Sequence, residues 1–286
     1  MNGAGAGADD GNSNDGNSND GNNNDVGGDV VTDGGAEATR EIEVDDVSKV
    51  FSEDGGAIQA LDGVDFDVHE GEFVCIVGPS GCGKSTLFRI IAGLETPTEG
   101  EVRVGGRRVT DPGPDRGMVF QDDALFPWRT AYENVKYGLE EVGPPAGDTV
   151  AERAEYCLEL VGLAEFADSY PKTLSGGQRQ RVGIARALAV DPPTLLMDEP
   201  FGSLDERTKT SLHAELLDIW STTEKTVLFV THDVEEAVYL ADRIVVFTDR
   251  PGSVAEEIDV DVPRPRDRTS DAFVEVKSRV LSHFRE

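Results

Sequence analysis

Basic residues are scarce in this sequence. Only 26 Lys and Arg stand against 56 Asp and Glu, a formal net charge of −30 over 286 residues. Nucleic acids are held by clustered cations, so this balance argues against DNA and RNA as broad partners. Cysteine is scarce too: Cys75, Cys82 and Cys157 form neither a disulfide framework nor a metal-ligand spacing. No apolar run approaches the ~18 residues that a membrane-spanning helix requires. The N-terminus has no basic-then-apolar leader. Together these absences predict a soluble, cytoplasmic chain. Its length suits one large α/β domain, or one domain with an inserted subdomain. The acids could mark one acidic interface, or a surface adapted to high salt, where screening removes self-repulsion. They run through loops and helix faces along the whole chain, which favours the high-salt, halophilic reading.

Residues 1–40 are almost devoid of apolar mass. The pentapeptide Gly-Asn-Ser-Asn-Asp occupies 11–15 and again 16–20, with a degenerate copy at 21–25. Eight acids and one arginine there cannot bury enough surface to offset chain entropy, so a disordered, solvating tail is expected. Order is expected from Glu41. Val64, Phe66 and Val68 alternate with Asp65 and Asp67, as in a half-buried strand. Phe73–Val77, Gly117–Gln121, Thr194–Met197, Thr226–Val230 and Ile244–Phe247 read as buried strands, and Glu101–Gly106 as part of a hairpin. Between Asp122 and Lys172 the strand runs vanish. Ala154, Cys157, Leu158 and Val161 there fall on one face of a helix. Strand and helix then alternate again, ending in a helix from Asp271 to about Phe284. The pattern predicts an α/β fold with a parallel-sheet core and a helical insert, whose ligands sit at the strand carboxyl ends.

The chemistry gathers at those ends. Gly78, Pro79, Ser80, Gly81, Cys82, Gly83, Lys84, Ser85 and Thr86 follow one buried strand and open a helix. That is the phosphate-cradling P-loop, in which backbone N–H groups and the helix start face a polyphosphate. Lys84 is placed to reach the β- and γ-phosphates and Ser85 to ligate Mg²⁺. Cys82 holds a position that the pattern leaves free, so it reads as a space-filler. A P-loop alone does not separate a kinase, a GTPase, a motor and a transporter engine. Asp198 and Glu199 end a second buried strand, where Asp198 can hold Mg²⁺ and Glu199 can polarise the attacking water. Gln121 and His232 follow two more. The first can ligate Mg²⁺ or position water; the second can donate to a phosphate or orient water. Ser175, Gly176, Gly177 and Gln178 precede an Ala/Leu-rich helix. They form a capped glycine turn or a second anion cradle, and a second cradle suggests two nucleotides closed in a head-to-tail dimer.

At this point the chain resembles the ATP-binding-cassette (ABC) ATPases. Gly78–Thr86 is similar to their Walker A motif, Gln121 to the Q-loop, and Leu174–Gln178 to the signature motif. Leu195–Asp198 resembles Walker B with Glu199 as catalytic glutamate, Ser203–Asp205 the D-loop, and His232 the switch histidine. Phe51 matches the aromatic that stacks on adenine. The resemblance spans residues 41 to about 250.

The resemblance implies a P-loop NTPase with a parallel-sheet core, an N-terminal antiparallel β subdomain and an inserted α-helical subdomain at about 122–180. It implies an ATPase domain over 41–265, a C-terminal helix at 266–286, and ATP and Mg²⁺ as cofactors. Two ATP lie between two subunits, each P-loop against the other subunit's signature. The pair sits at the cytoplasmic face of the membrane on two transmembrane permease subunits, served by an extracellular substrate-binding protein. Ala124–Thr130, Asp249–Ser253 and Glu256–Arg266 resemble the nitrate/sulfonate/taurine importers, with Trp128 near the permease cleft. A cassette ATPase of DNA repair or translation is the alternative. The chain lacks a coiled-coil insertion and a second cassette, and its acidity disfavours nucleic acid. A non-hydrolytic assembly module should lack Glu199 or His232, and both are present.

Overall fold

The computed structural model describes residues 39–53, 56–121 and 124–284. The tail expected over 1–40 lies outside them, apart from its last two residues. An antiparallel sheet forms first: β1 (Arg40–Glu53), β2 (Gly56–His69), β4 (Glu99–Val104) and β5 (Arg107–Arg108), in the order β2-β1-β4-β5. Register follows the alternation. Val44 pairs with Phe66 and Ile42 with Val68, all four buried, while Asp65 faces out.

The second sheet runs β10-β9-β3-β8-β7-β6. Its strands are β3 (Phe73–Val77), β6 (Arg116–Val119), β7 (Thr194–Asp198), β8 (Thr226–Thr231), β9 (Arg243–Phe247) and β10 (Val254–Asp259). The first five are parallel and β10 closes the edge antiparallel. Continuous apolar runs suit strands covered on both faces. Here successive side chains feed two different cores. Phe73, Cys75 and Val77 join one core with Val227, Phe229, Leu195 and Met197. Val74 and Ile76 join the other, with Leu228, Val230 and Leu196.

That second core is shared with the antiparallel sheet and with α1 (Lys84–Ile91), whose Leu87, Phe88, Ile90 and Ile91 fill it. The helix beginning at the P-loop is thus clamped between two sheets. On the opposite face lie α2 (Ala131–Val142), α3 (Val150–Leu160), α4 (Gly176–Ala189), α5 (Glu206–Thr223), α6 (Val234–Leu240) and α7 (Asp271–Ser282), with buried side chains from each of them in the first core. The starts of α2, α3 and α4 are fixed by reciprocal capping boxes: Thr130 with Glu133, Thr149 with Glu152, and Ser175 with Gln178. The face read from Ala154, Cys157, Leu158 and Val161 is buried throughout.

The unanticipated element is β10. Only Ile258 in it is buried, so its composition carries little periodic signal, and the backbone ladder to β9 holds it. The arrangement is an α/β fold with a parallel-sheet core, an N-terminal antiparallel β subdomain and an α-helical subdomain inserted between β6 and β7.

Candidate nucleotide site

The loop between β3 and α1 is shaped by close backbone approach. Gly83 has φ of 109°, and a Cβ there would lie 2.6 Å from the Ala60 carbonyl oxygen. Only glycine fits where the loop turns against β2. Lys84 is 5% exposed, and its Nζ donates across the loop to the carbonyls of Gly78 at 2.8 Å and Pro79 at 2.9 Å. Ser85 Oγ, one residue on, donates to Asp198 Oδ1 at 3.4 Å. Burial pushes the Asp198 carboxyl above its usual range; the Ser85 hydrogen bond opposes this, and the Glu199 charge adds to it. A half-buried carboxylate beside a hydroxyl is a fitting pair of ligands for a hard divalent cation. Among the described residues no group of three or more His, Cys, Asp and Glu could cage a metal. Mg²⁺ is usually held by one or two protein oxygens plus phosphates and water, and the Ser85–Asp198 pair is of that kind.

Glu199 has φ of 44°, uncommon for a residue with a side chain. Its N–H donates to the Val230 carbonyl at 2.9 Å, tying the end of β7 to β8. Its Oε2 lies 2.8 Å from Nδ1 of His232, which follows β8. A carboxylate only accepts, so Nδ1 carries the ring proton and Nε2 is left as an acceptor when the ring is neutral. Gln121 is exposed and borders the same turn: a Cβ on Gly202 would lie 3.4 Å from its Nε2. Gly202 N–H in turn donates to the Glu199 carbonyl at 3.0 Å. The structure therefore brings Ser85, Gln121, Asp198, Glu199 and His232 to one end of the parallel sheet.

An open pocket of about 350 Å³ lies over this loop, lined by Phe51, Ala60, Ser80, Gly81, Gly83, Lys84, Ser85, Thr86, Glu199 and Arg250. Phe51 is carried there by β1, with the Lys49 ammonium 4.9 Å from its ring centre. Arg250 lines the pocket although the sequence marks no site residue at that position: it lies in the stretch Asp249–Ser253, and nothing in the sequence ties that turn to a loop more than 160 positions earlier.

Ser175, Gly177 and Gln178 line a different pocket, of about 500 Å³, with Arg181, Arg207, Thr208, Ser211 and Leu212. Ser175 Oγ accepts from Gln178 N–H at 3.2 Å, and Gln178 Oε1 accepts from Ser175 N–H at 2.8 Å. The serine is thus the cap of α4, and Gly176 follows it at the helix start. Among the described residues the two pockets have no lining residue in common.

A nitrate import ATP-binding protein of Synechocystis is 49% identical over 232 residues, covering 80% of this chain and 87% of that protein. An aliphatic sulfonates import ATP-binding protein of Bacillus cereus is 45% identical over 243 residues, covering 85% and 95%. The family model described as ABC transporter matches residues 61–202. The chain belongs to the ABC transporter family. Within this family it is an ATP-binding subunit that hydrolyses ATP, similar to those of the nitrate and sulfonate importers. An ATP-binding cassette solved as a dimer in a post-hydrolysis state, with ADP and phosphate bound, aligns with a TM-score of 0.67 and 38% identity. That alignment covers 77% of this ABC ATPase and 98% of the solved chain. Among the described residues no helix is long and apolar enough to cross a membrane.

Proposed function

We propose that this ABC ATPase energises an importer as one of a pair of copies seated on two transmembrane permease subunits. The pair works at the cytoplasmic face of the membrane, and an extracellular binding protein delivers a small anion such as nitrate, a sulfonate or taurine. The observation that carries the reading is the separation of the two pockets. Among the described residues the P-loop pocket and the Ser175 pocket share no lining residue, and the solved cassette that this chain resembles is a dimer; both support a reading in which each pocket is half of a site that a second copy completes. The cargo rests on the named relatives. Residues 41–265 form the ATPase domain in this reading, with the insert over about 122–180 and the C-terminal helix from 266.

Each residue then has a task. Phe51 stacks on adenine, and the N–H groups of Gly78–Thr86 wrap the phosphates. Lys84 exchanges its bonds to Gly78 and Pro79 for the β- and γ-phosphate oxygens. Bound Mg²⁺ would supply charge neutralisation of those phosphates, with Ser85, Asp198 and Gln121 to hold it. Glu199 takes the proton of the water that attacks the γ-phosphorus as the bond to the β–γ bridging oxygen breaks. His232 keeps that carboxylate aimed through Nδ1 and holds the water through Nε2. Ser175, Gly176, Gly177 and Gln178 close over the γ-phosphate bound to the other copy. Trp128 is 70% exposed and packs by Phe126, whose ring also meets Tyr137 at 4.8 Å. Those aromatics suit the permease contact.

Glu199→Gln tests the reading. Turnover should fall at least about a hundredfold, as expected for loss of a general base. ATP binding should persist, and gel filtration with ATP at high salt should show a stable dimer. Wild-type turnover in this variant would overturn the role given to Glu199.

A further inference from the structure

Arg250 lines the nucleotide pocket beside Phe51, Ala60, Ser80 and Gly81. It arrives on a turn after β9 that is closed at its base. Thr248 N–H donates to the Ser253 carbonyl at 2.9 Å, and Ser253 N–H donates back to Thr248 Oγ1 at 3.0 Å. This turn is pinned to β2 and to the P-loop. Gly252 N–H donates to the Ala60 carbonyl at 3.0 Å, and Asp62 N–H donates to the Gly252 carbonyl at 3.0 Å. A Cβ on Gly252 would collide with the Cys82 carbonyl of the P-loop. Backbone against backbone therefore sets where Arg250 stands relative to the phosphate cradle.

The side chain is aimed as well as anchored. Arg250 Nε donates to the Gln59 carbonyl at 3.3 Å. Gln59 pairs with Val50 in the antiparallel ladder, next to Phe51 paired with Ile58. The guanidinium is thus moored at the Phe51 end of the pocket. Its two Nη atoms make no other hydrogen bond among the described residues, leaving four N–H donors for a ligand. Among the described residues Lys84 and Arg250 are the two cations in the pocket lining. Lys84, beside Ser85 and Asp198, serves the hydrolytic end.

We propose that Arg250 is a nucleotide-binding residue that donates through its guanidinium to the nucleoside end of a bound nucleoside di- or triphosphate, at the base and ribose acceptors rather than the γ-phosphate. This rests on the nucleotide-site reading above and adds to it a specific contact from the C-terminal part of the chain. Because the contact spares the γ-phosphate, it is equally present with ADP and ATP.

The test is titration of the full chain, in high-salt buffer, with ADP and with a non-hydrolysable ATP analogue. Arg250→Ala should weaken both by about tenfold, the scale of one charge-assisted hydrogen bond at a half-open site. Arg250→Lys should stay weakened for both, because an ammonium lacks the forked donors. Wild-type affinity in either variant, or a loss confined to the ATP analogue, overturns the assignment. Lys84→Ala separates this inference from its foundation. If Lys84→Ala loses binding while Arg250→Ala does not, only the role of Arg250 falls. If Lys84→Ala binds both nucleotides as wild type does, the nucleotide-site reading itself falls. Thermal melts of each variant establish that the chain is folded before it is titrated.

Discussion

Asp198 is the residue where stability and activity pull apart. Burial raises its carboxyl above the usual range, so the folded chain binds that proton more readily than the unfolded chain does. The group's contribution therefore declines as pH rises from the ordinary aspartate value through the raised one, and at neutral pH the half-buried charge bears its desolvation cost. Asp198→Asn should raise the melting temperature of the nucleotide-free protein while abolishing its further stabilisation by Mg²⁺ and ATP. Scanning calorimetry with and without nucleotide reads both. Gly252 shows the opposite sensitivity, because its contact is steric. Gly252→Ala should cost about 1–3 kcal/mol in unfolding free energy, the usual penalty of overpacking, and weaken nucleotide binding by displacing the P-loop. Ser85, Asp198, Glu199 and His232 were legible in the sequence because each lies at or just beyond an end of an element that apolar periodicity reveals. Arg250 and Gly252 were not, since backbone pairing brings them to β2 residues about 190 positions earlier.

At the scale of elements, a buried polar chain joins α5, α6 and the end of β8. His213 on α5 is 3% exposed, and its Nε2 lies 2.7 Å from Glu236 Oε1 on α6. The other Glu236 oxygen accepts from the Thr231 hydroxyl, immediately before His232. Arg268 Nη2 lies 3.0 Å from His213 Nδ1, and a guanidinium only donates. Nδ1 therefore accepts, and Nε2 carries the proton it gives to Glu236. His213→Ala would strand the buried Glu236 oxygen, at about 1–3 kcal/mol. A lower urea midpoint with unchanged slope is the expected result. Helical spacing puts Leu212, Leu216, Ile219 and Trp220 on one side of this same helix; the first three are buried and Trp220 is half-buried. It could not identify His213, whose role depends on a partner 23 residues away in another helix. The same limit hid β10, held by its backbone ladder rather than by apolar side chains. Apolar faces and helix-opening glycine turns are local features, so α3 and α4 could be read; cross-element polar pairs are not.

For the whole molecule, charge and assembly carry the account. A net charge of −30 repels itself in dilute buffer, and acids such as Asp62, Asp65, Glu152 and Glu155 are exposed on both strands and helices. With a Debye length of about 3 Å at 1 M salt and about 30 Å at 0.01 M, the melting temperature should climb with KCl, and dilute buffer should unfold the chain. Circular dichroism across a salt series checks this, and full stability in dilute buffer would contradict the halophilic reading. Assembly is the central claim: the P-loop of one copy works only against the Ser175 turn of another. The direct measurement is the ATPase rate of two inactive variants, Lys84→Ala and Ser175→Arg, alone and mixed one to one. In a mixed pair, the intact Lys84 of one copy faces the intact Ser175 of the other, restoring one of two sites. With random pairing and independent sites, the mixture should recover roughly a quarter of wild-type activity while each variant alone stays silent. A mixture as inactive as its components would contradict the account.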